Sequence, residues 1–189
     1  MEALHELLVK DMQDLLHAEG QLVKALPKMA RAANDPKLKQ AFQKHLEETK
    51  VHVDRLKQCF EQLGARAKAK PCKGMQGLIE EGTEVMTEGK EKEEYAADLG
   101  LVAAAQKVEH YEISGYGTLR TLAERIGERK VARLLEQTLK EEEKTDKLLT
   151  DLSAPMLERG SEETGGGEGE EGEEEEEPMS RSMGGGSRG

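Results

Sequence analysis

Four long stretches of this chain repeat apolar residues at intervals of three and four, and nowhere does a β-branched run alternate with period two. That spacing gathers side chains on one face of an α-helix and leaves strands without a signal. One seam reads Leu8, Leu15, Glu19, Leu22, Leu26 and a second Leu38, Phe42, His45, Thr49, His52, Leu56, Cys59. The third reads Val102, Ala105, Glu109, Glu112, Tyr116, Leu119 and the fourth Val131, Leu135, Thr138, Glu142, Thr145, Leu149, Leu152. With no Trp and only two Phe, a core must be built from Leu, Ala, Val, Ile and Met. The expected fold class is all-α.

Breakers set the boundaries. The first helix is expected from about Glu2 to Ala33, with Pro27 kinking or splitting it. Asn34 or Asp35 can cap the next, Pro36 suits its first turn, and Gly64 stops it after about Leu63. Residues 65–76 read as a loop, followed by a short helix from about Met75 to Thr87. The third long helix spans about Glu93 to Ile126 and breaks at Gly127; the fourth runs from about Glu128 to Leu157. The bundle domain is therefore placed at 1–157. Residues 158–189, dominated by Gly and Glu, are too poor in apolar groups to offset ordering entropy and read as a disordered acidic tail.

Connection lengths predict topology. The first two long helices are joined by a few residues, as are the last two, so each pair should form an antiparallel hairpin. About 30 residues separate the pairs, enough to run the length of a bundle. This is the single long crossover of a ferritin-like four-helix bundle, here carrying a short extra helix. A shift of 93 residues superimposes the two halves: Leu8 falls on Leu101, Leu15 on Val108, Glu19 on Glu112, Glu48 on Glu141 and His17 on His110.

Every seam is apolar at its ends and polar near mid-height. An unpaired buried carboxylate costs several kcal/mol, so such a layer needs compensation from histidines or cations. Glu109 and Glu112, three apart on one face, would share a level with Glu19, His52 and Glu142. Carboxylates with some imidazole suit iron or manganese, and a two-metal site takes single Glu ligands from two helices and a ligand pair from each of the others. The available pairs are Glu109/Glu112, Glu48/His52 and Glu142/Asp146. Against this stands the abundance of Glu: "HLEETK" and "LKEEEK" also suit solvated faces. His5, His17, His45 and His110 read as surface or supporting residues, His45 being the first to promote because it lies on a seam. Neither the second nor the fourth long helix contains Glu-x-x-His.

Other classes are excluded. The net charge is −11, and the residues from Glu158 onward, with 11 acidic and 3 basic side chains, carry −8 of it. A nearly balanced body with an acidic tail offers no basic face for nucleic acid. No apolar stretch approaches a membrane span, and the N-terminus lacks the pattern of a secretory signal, so a cytoplasmic setting is expected. Cys59 and Cys72 are too few for a disulfide framework and are expected as free thiols. Phosphate loops, nucleophile elbows and Cys-x-x-Cys are absent. The glycines of "SGYG" fall within a helix and suggest close helix packing.

The segments "LLHAEGQLVKALPKMA", "FQKHLEETKVHVDRL", "CKGMQGLIEEG", "VEHYEISGYGTL" and "LLEQTLKEEEKTDKLL" resemble the YciF-like ferritin-like stress proteins, in order and at the expected spacing over residues 2–157. The resemblance implies a dimeric bundle related to rubrerythrin-type di-iron proteins and associated with bacterial stress. Glu109 and Glu112 resemble the Glu-x-x-Glu of rubrerythrins, while Glu19 and Glu48 sit where the first two helices each supply a Glu. In the last helix Glu141 or Glu142 is offered, with Asp146 next along the face, and the histidine expected there is missing. There is also no Cys-rich electron-transfer segment. The implied function is binding of iron or manganese, with oxidation of Fe(II) or removal of peroxide; the alternative is a metal-free, dimeric helical interaction protein.

Overall fold

A computed structural model of the chain describes residues 2–165. Four long helices, α1 (Glu2–Ala32), α2 (Pro36–Gln62), α4 (Glu94–Arg125) and α5 (Arg129–Gly165), form the bundle, and a shorter α3 (Lys73–Glu88) lies in the crossover, followed by one 3₁₀ turn at Gly89–Glu91. There is no strand among the described residues. None of the described helices is long and apolar enough to cross a membrane. The acidic tail expected from residue 158 falls largely outside the described residues; its first part instead continues α5 to Gly165.

Two apolar clusters fix the helix directions. In one, Leu8 and Met12 near the start of α1 meet Leu56 and Phe60 near the end of α2, Leu119 and Ala123 near the end of α4, and Val131 and Leu135 at the start of α5. In the other, Leu26 and Met29 late in α1 meet Leu38 and Phe42 early in α2, Leu101 and Val102 early in α4, and Leu149 and Met156 late in α5. Both hairpins, and both pairings across them, are therefore antiparallel, as a single long crossover requires. The crossover helix packs on α4 and α1. Its Leu78, Ile79, Val85 and Met86 are partly buried against the second cluster.

The breakers act much as expected. Asp35 caps α2, its Oδ1 accepting from the backbone of Lys37 (2.7 Å) and Leu38 (2.9 Å), with Pro36 in the first turn. Gly64 and Gly127 take positive φ, 61° and 91°, where a Cβ is strained. Pro27 does not split α1, because Leu22, Leu26, Met29 and Ala30 on both sides of it stay in one apolar cluster. Likewise α5 continues past Pro155 and buries Met156.

Two polar clamps hold the connections. Buried Asp98 on α4 accepts from the backbone N–H of Asn34 (2.8 Å) and of Asp35 (2.7 Å), fastening the α1–α2 turn to the neighbouring helix. The start of the crossover is held by α1: Lys70 N donates to Gln13 O (3.0 Å) and Cys72 N to His17 Nδ1 (3.0 Å). Tyr111 on α4 closes this corner, its hydroxyl donating to Asp14 (3.0 Å) and lying 2.9 Å from Cys72 Sγ. Cys59 and Cys72 are both free and buried.

Candidate metal centre

Between the two apolar clusters the bundle buries a layer of Glu19 (α1), His45, Thr49 and His52 (α2), Glu109 and Glu112 (α4), and Thr138 and Glu142 (α5). Helix geometry explains how they meet. His45 and His52 are seven residues apart, almost two full turns, and Glu109 and Glu112 are three apart, so each pair shares a face. Their helices turn those faces inward because the same faces carry the Leu, Val and Phe residues above and below.

Two groups of donors form. Single ligand atoms from His45, Glu109, Glu112 and Glu142 all lie within 4.8 Å of one another, as do atoms from Glu19, His52 and Glu142. Glu142 belongs to both. His45 Nε2 stands 3.2 Å from Glu109 Oε1 and 3.8 Å from Glu142 Oε2. His52 Nδ1 stands 2.9 Å from Glu142 Oε1 and 3.6 Å from Glu19 Oε1. Yet no hydrogen bond engages Glu19 Oε2, His45 Nε2, His52 Nδ1, Glu109 Oε2, or either oxygen of Glu112 and Glu142. Atoms that come this close without aligning hydrogen bonds are converging on shared space.

The electrostatics follow from burial. Desolvation pushes Glu19 up to about 8 and Glu109 up to about 7, against opposing pulls from His52 and His45 respectively. Glu112 is raised well above the carboxylate range by burial and then by the charges of Glu19, Glu142 and Glu109. Burial disfavours charged histidine, but carboxylates outweigh it: His45 is raised, chiefly by Glu109, and His52 is raised, chiefly by Glu142. A divalent cation relieves this arrangement directly, since carboxylate oxygen and imidazole nitrogen are donors for iron and manganese. The donor set therefore fits such a metal.

Of the residues expected from the sequence, Glu19, His52, Glu109, Glu112 and Glu142 come together. Glu48 and Asp146 do not join them. Glu48 is partly exposed, 2.9 Å from Lys44 Nζ and 3.9 Å from His45 Nδ1, and His45, then Lys44, holds its carboxyl down at about 2. Asp146, four residues beyond Glu142, is carried about 40° round the helix and faces Gln106 (3.1 Å) and His110 (3.3 Å). His45 takes a place in the layer instead. Its sequence signal was the seam His45–Thr49–His52. Of the adjacent acids in "KEEEK", Glu142 points inward and Glu141 lies across α2, against Arg55 and His52.

The chain matches, over residues 3–161, the family described as a domain of unknown function (DUF892). It belongs to that family. A curated protein, YciF of Escherichia coli strain K12, is 47% identical to it over 163 residues, covering 86% of this chain and 97% of its own. The crystal structure of the E. coli stress protein YciF aligns with a TM-score of 0.78 at 45% identity, covering 84% of this chain and 99% of that one. A structure from Rhodopseudomonas palustris, YcfI, aligns at 0.74 and 39% identity over 78% of this chain and 92% of its own. A protein from Xanthomonas campestris, at 24% identity and a TM-score of 0.66, shares the fold, with 86% of this chain and 99% of its own covered.

Proposed function

We propose that the buried layer is a two-cation site for iron or manganese, and that the protein serves stress defence by oxidising Fe(II) or removing peroxide. The observation that carries this reading is the set of eight buried donor atoms on six side chains that find no hydrogen-bond partner. Native interiors rarely leave such atoms unsatisfied. His45 and Glu109 serve one position, Glu19 and His52 the other; Glu142 belongs to both donor groups, and Glu112 offers two free oxygens. Bound iron or manganese would supply redox chemistry and open coordination positions for an oxidant. The chain's own contribution is to hold the donors and keep water out: apolar clusters seal the layer above and below. The stress role draws on the E. coli relative, named a stress protein. Homodimerisation, implied by the resemblance, and a cytoplasmic setting belong to the same proposal.

Elemental analysis tests it. Protein loaded with Fe(II) or Mn(II) without oxygen and then desalted should retain about two ions per chain, and Glu112→Leu should lose them. Absence of stoichiometric metal in the wild type overturns the reading.

A second reading has its own support. Glu19 and Glu109, raised to about 8 and about 7, can hold protons near neutrality, and Tyr116 donates a hydrogen bond to Glu19. A protonated, metal-free layer suits a helical scaffold, and the description of the R. palustris protein proposes a structural role. Metal added to a scaffold leaves its melting temperature unchanged, whereas a cation bound only by the folded state must raise it.

A further inference from the structure

We propose that Glu141 and Thr145 are positioning residues that lock the two buried histidines in opposite tautomers, so that His52 presents Nδ1 and His45 presents Nε2 to the layer as lone-pair donors. This assignment rests on the cation reading for its purpose, and on hydrogen-bond chemistry for its geometry.

Take His52 first. Its Nε2 lies 2.9 Å from Glu141 Oε2. An ionised carboxylate only accepts hydrogen bonds, so the ring nitrogen aligned with it must carry the hydrogen, whereas Nδ1, though equally close to Glu142 Oε1, makes no aligned hydrogen bond. Glu141 is kept ionised and in place by Arg55, whose Nη1 and Nη2 donate to its two oxygens at 2.7 and 3.2 Å. The guanidinium is itself anchored, Nη1 donating to Thr138 Oγ1 at 2.6 Å. With Nε2–H committed outward, a neutral His52 holds its lone pair on Nδ1, the nitrogen that faces Glu142 and Glu19.

His45 is turned the other way. Its Nδ1 lies 3.4 Å from Thr145 Oγ1. That hydroxyl spends its only hydrogen on the carbonyl of Glu141, at 3.1 Å. Toward His45 it can therefore only accept, which places the hydrogen on Nδ1. Glu48 Oε2, 3.9 Å away on the same side, favours the same tautomer. The lone pair of neutral His45 then sits on Nε2, facing Glu109 and Glu142.

The two histidine nitrogens without hydrogen-bond partners are His52 Nδ1 and His45 Nε2, the same two atoms. Glu141 thus governs both rings, one through its side chain and the other through its backbone carbonyl. Fixing the outer nitrogen of a metal-binding histidine orients the ring and raises its basicity.

Long-range proton–nitrogen spectra of the metal-free protein at alkaline pH, where both rings are neutral, read the tautomers directly. The expected result is His52 protonated on Nε2 and His45 on Nδ1; either ring in the other form overturns the assignment. Mn(II) titrations supply the second arm. Glu141→Leu should weaken one of two binding events by roughly 10–100-fold, Glu141→Gln, which keeps an acceptor, should restore most of it, and Thr145→Val should weaken the other event. Wild-type Mn(II) binding by Glu141→Leu would count against a positioning role. A wild type that binds no Mn(II) overturns the two-cation reading, while the tautomer spectrum still decides this one.

Discussion

Tyr116 donates its phenolic hydrogen to Glu19 Oε1 in the centre of the bundle, where neither side chain meets solvent. Burial pushes the phenol well above its ordinary range, so it keeps its hydrogen and remains a donor. Tyr116→Phe strips Glu19 of that donor without changing the packing of the ring. We expect the metal-free protein to lose about 1–3 kcal/mol of stability, measured by urea unfolding in chelator. An unchanged unfolding midpoint would show that the bond contributes nothing net.

Glu112 has both carboxylate oxygens buried and unpartnered among Glu19, Glu142 and Glu109. Glu112→Leu replaces it with an apolar group of similar size. Replacing an unpartnered buried polar group in this way removes its desolvation cost and should stabilise, here by about 1–3 kcal/mol in the absence of metal. Calorimetry of the metal-free variant should therefore give a higher melting temperature than wild type, together with loss of metal retention. A lower melting temperature would mean that Glu112 stabilises the fold without a cation.

The metal-free protein should lose stability as pH rises. The folded state raises Glu19 from 4.5 to about 8 and Glu109 from 4.5 to about 7, so it binds protons more tightly than the unfolded chain. His45 and His52 are also raised from 6.5, which acts in the same sense. Their contribution is fully present below the unfolded values and fades as pH rises through the folded ones. For the two carboxyls the loss falls between about pH 4.5 and 8. Melting temperatures in chelator across that window should fall, and a loaded site should flatten the slope because metal takes the place of protons. A metal-free curve that rises through the window contradicts the assignment.

The glycines of "SGYG" should behave oppositely. A Cβ on Gly115 would stand 3.0 Å from Leu15 Cδ2 and 3.4 Å from Cδ1, whereas one on Gly117 meets nothing within 4 Å. Gly117→Ala should stabilise by about 0.5–1 kcal/mol through helix propensity. Gly115→Ala gains the same propensity but crowds a buried leucine, and should cost about 1–3 kcal/mol net. Thermal melts of the two variants give the comparison; equal shifts would refute the packing role of Gly115.

Asp98 accepts from two backbone N–H groups of the α1–α2 turn while itself buried. Asp98→Ala leaves both donors without that acceptor and should destabilise by about 2–4 kcal/mol. By contrast, Asp35→Ala removes only the α2 cap and should cost about 1 kcal/mol. Chemical denaturation of both variants ranks them; the reverse order would show that the turn does not depend on α4.

Much of the architecture was legible because helices advertise themselves locally. The three- and four-residue spacing of Leu8, Leu15, Leu22 and Leu26, or of Val131, Leu135 and Leu149, marks a buried face without reference to any other segment. Gly64, Gly127 and Asp35 mark ends for equally local reasons of backbone freedom and capping. The ends of the last helix were less legible. The last helix was expected to end near Leu157, yet α5 runs on to Gly165. Asp98 gave no signal as a clamp, because its partners Asn34 and Asp35 are more than sixty residues away.

The same division runs through the candidate site. By itself the sequence determined that polar residues interrupt all four seams near mid-height, and so that Glu19, His52, Glu109, Glu112 and Glu142 share a layer. Periodicity suffices for this, since a residue's face depends only on its own helix. Tertiary structure decided which neighbours of those residues join them. Between Glu141 and Glu142 the rotation of α5 against α2 chooses, sending one acid inward and the other to Arg55. His45 enters and Glu48 stays at the rim because three residues on a helix fall about 60° short of a full turn, and only packing against α4 and α5 determines which side of that difference is buried. Spacing along the chain carries no information about that rotation; it is set by how side chains from different helices interlock.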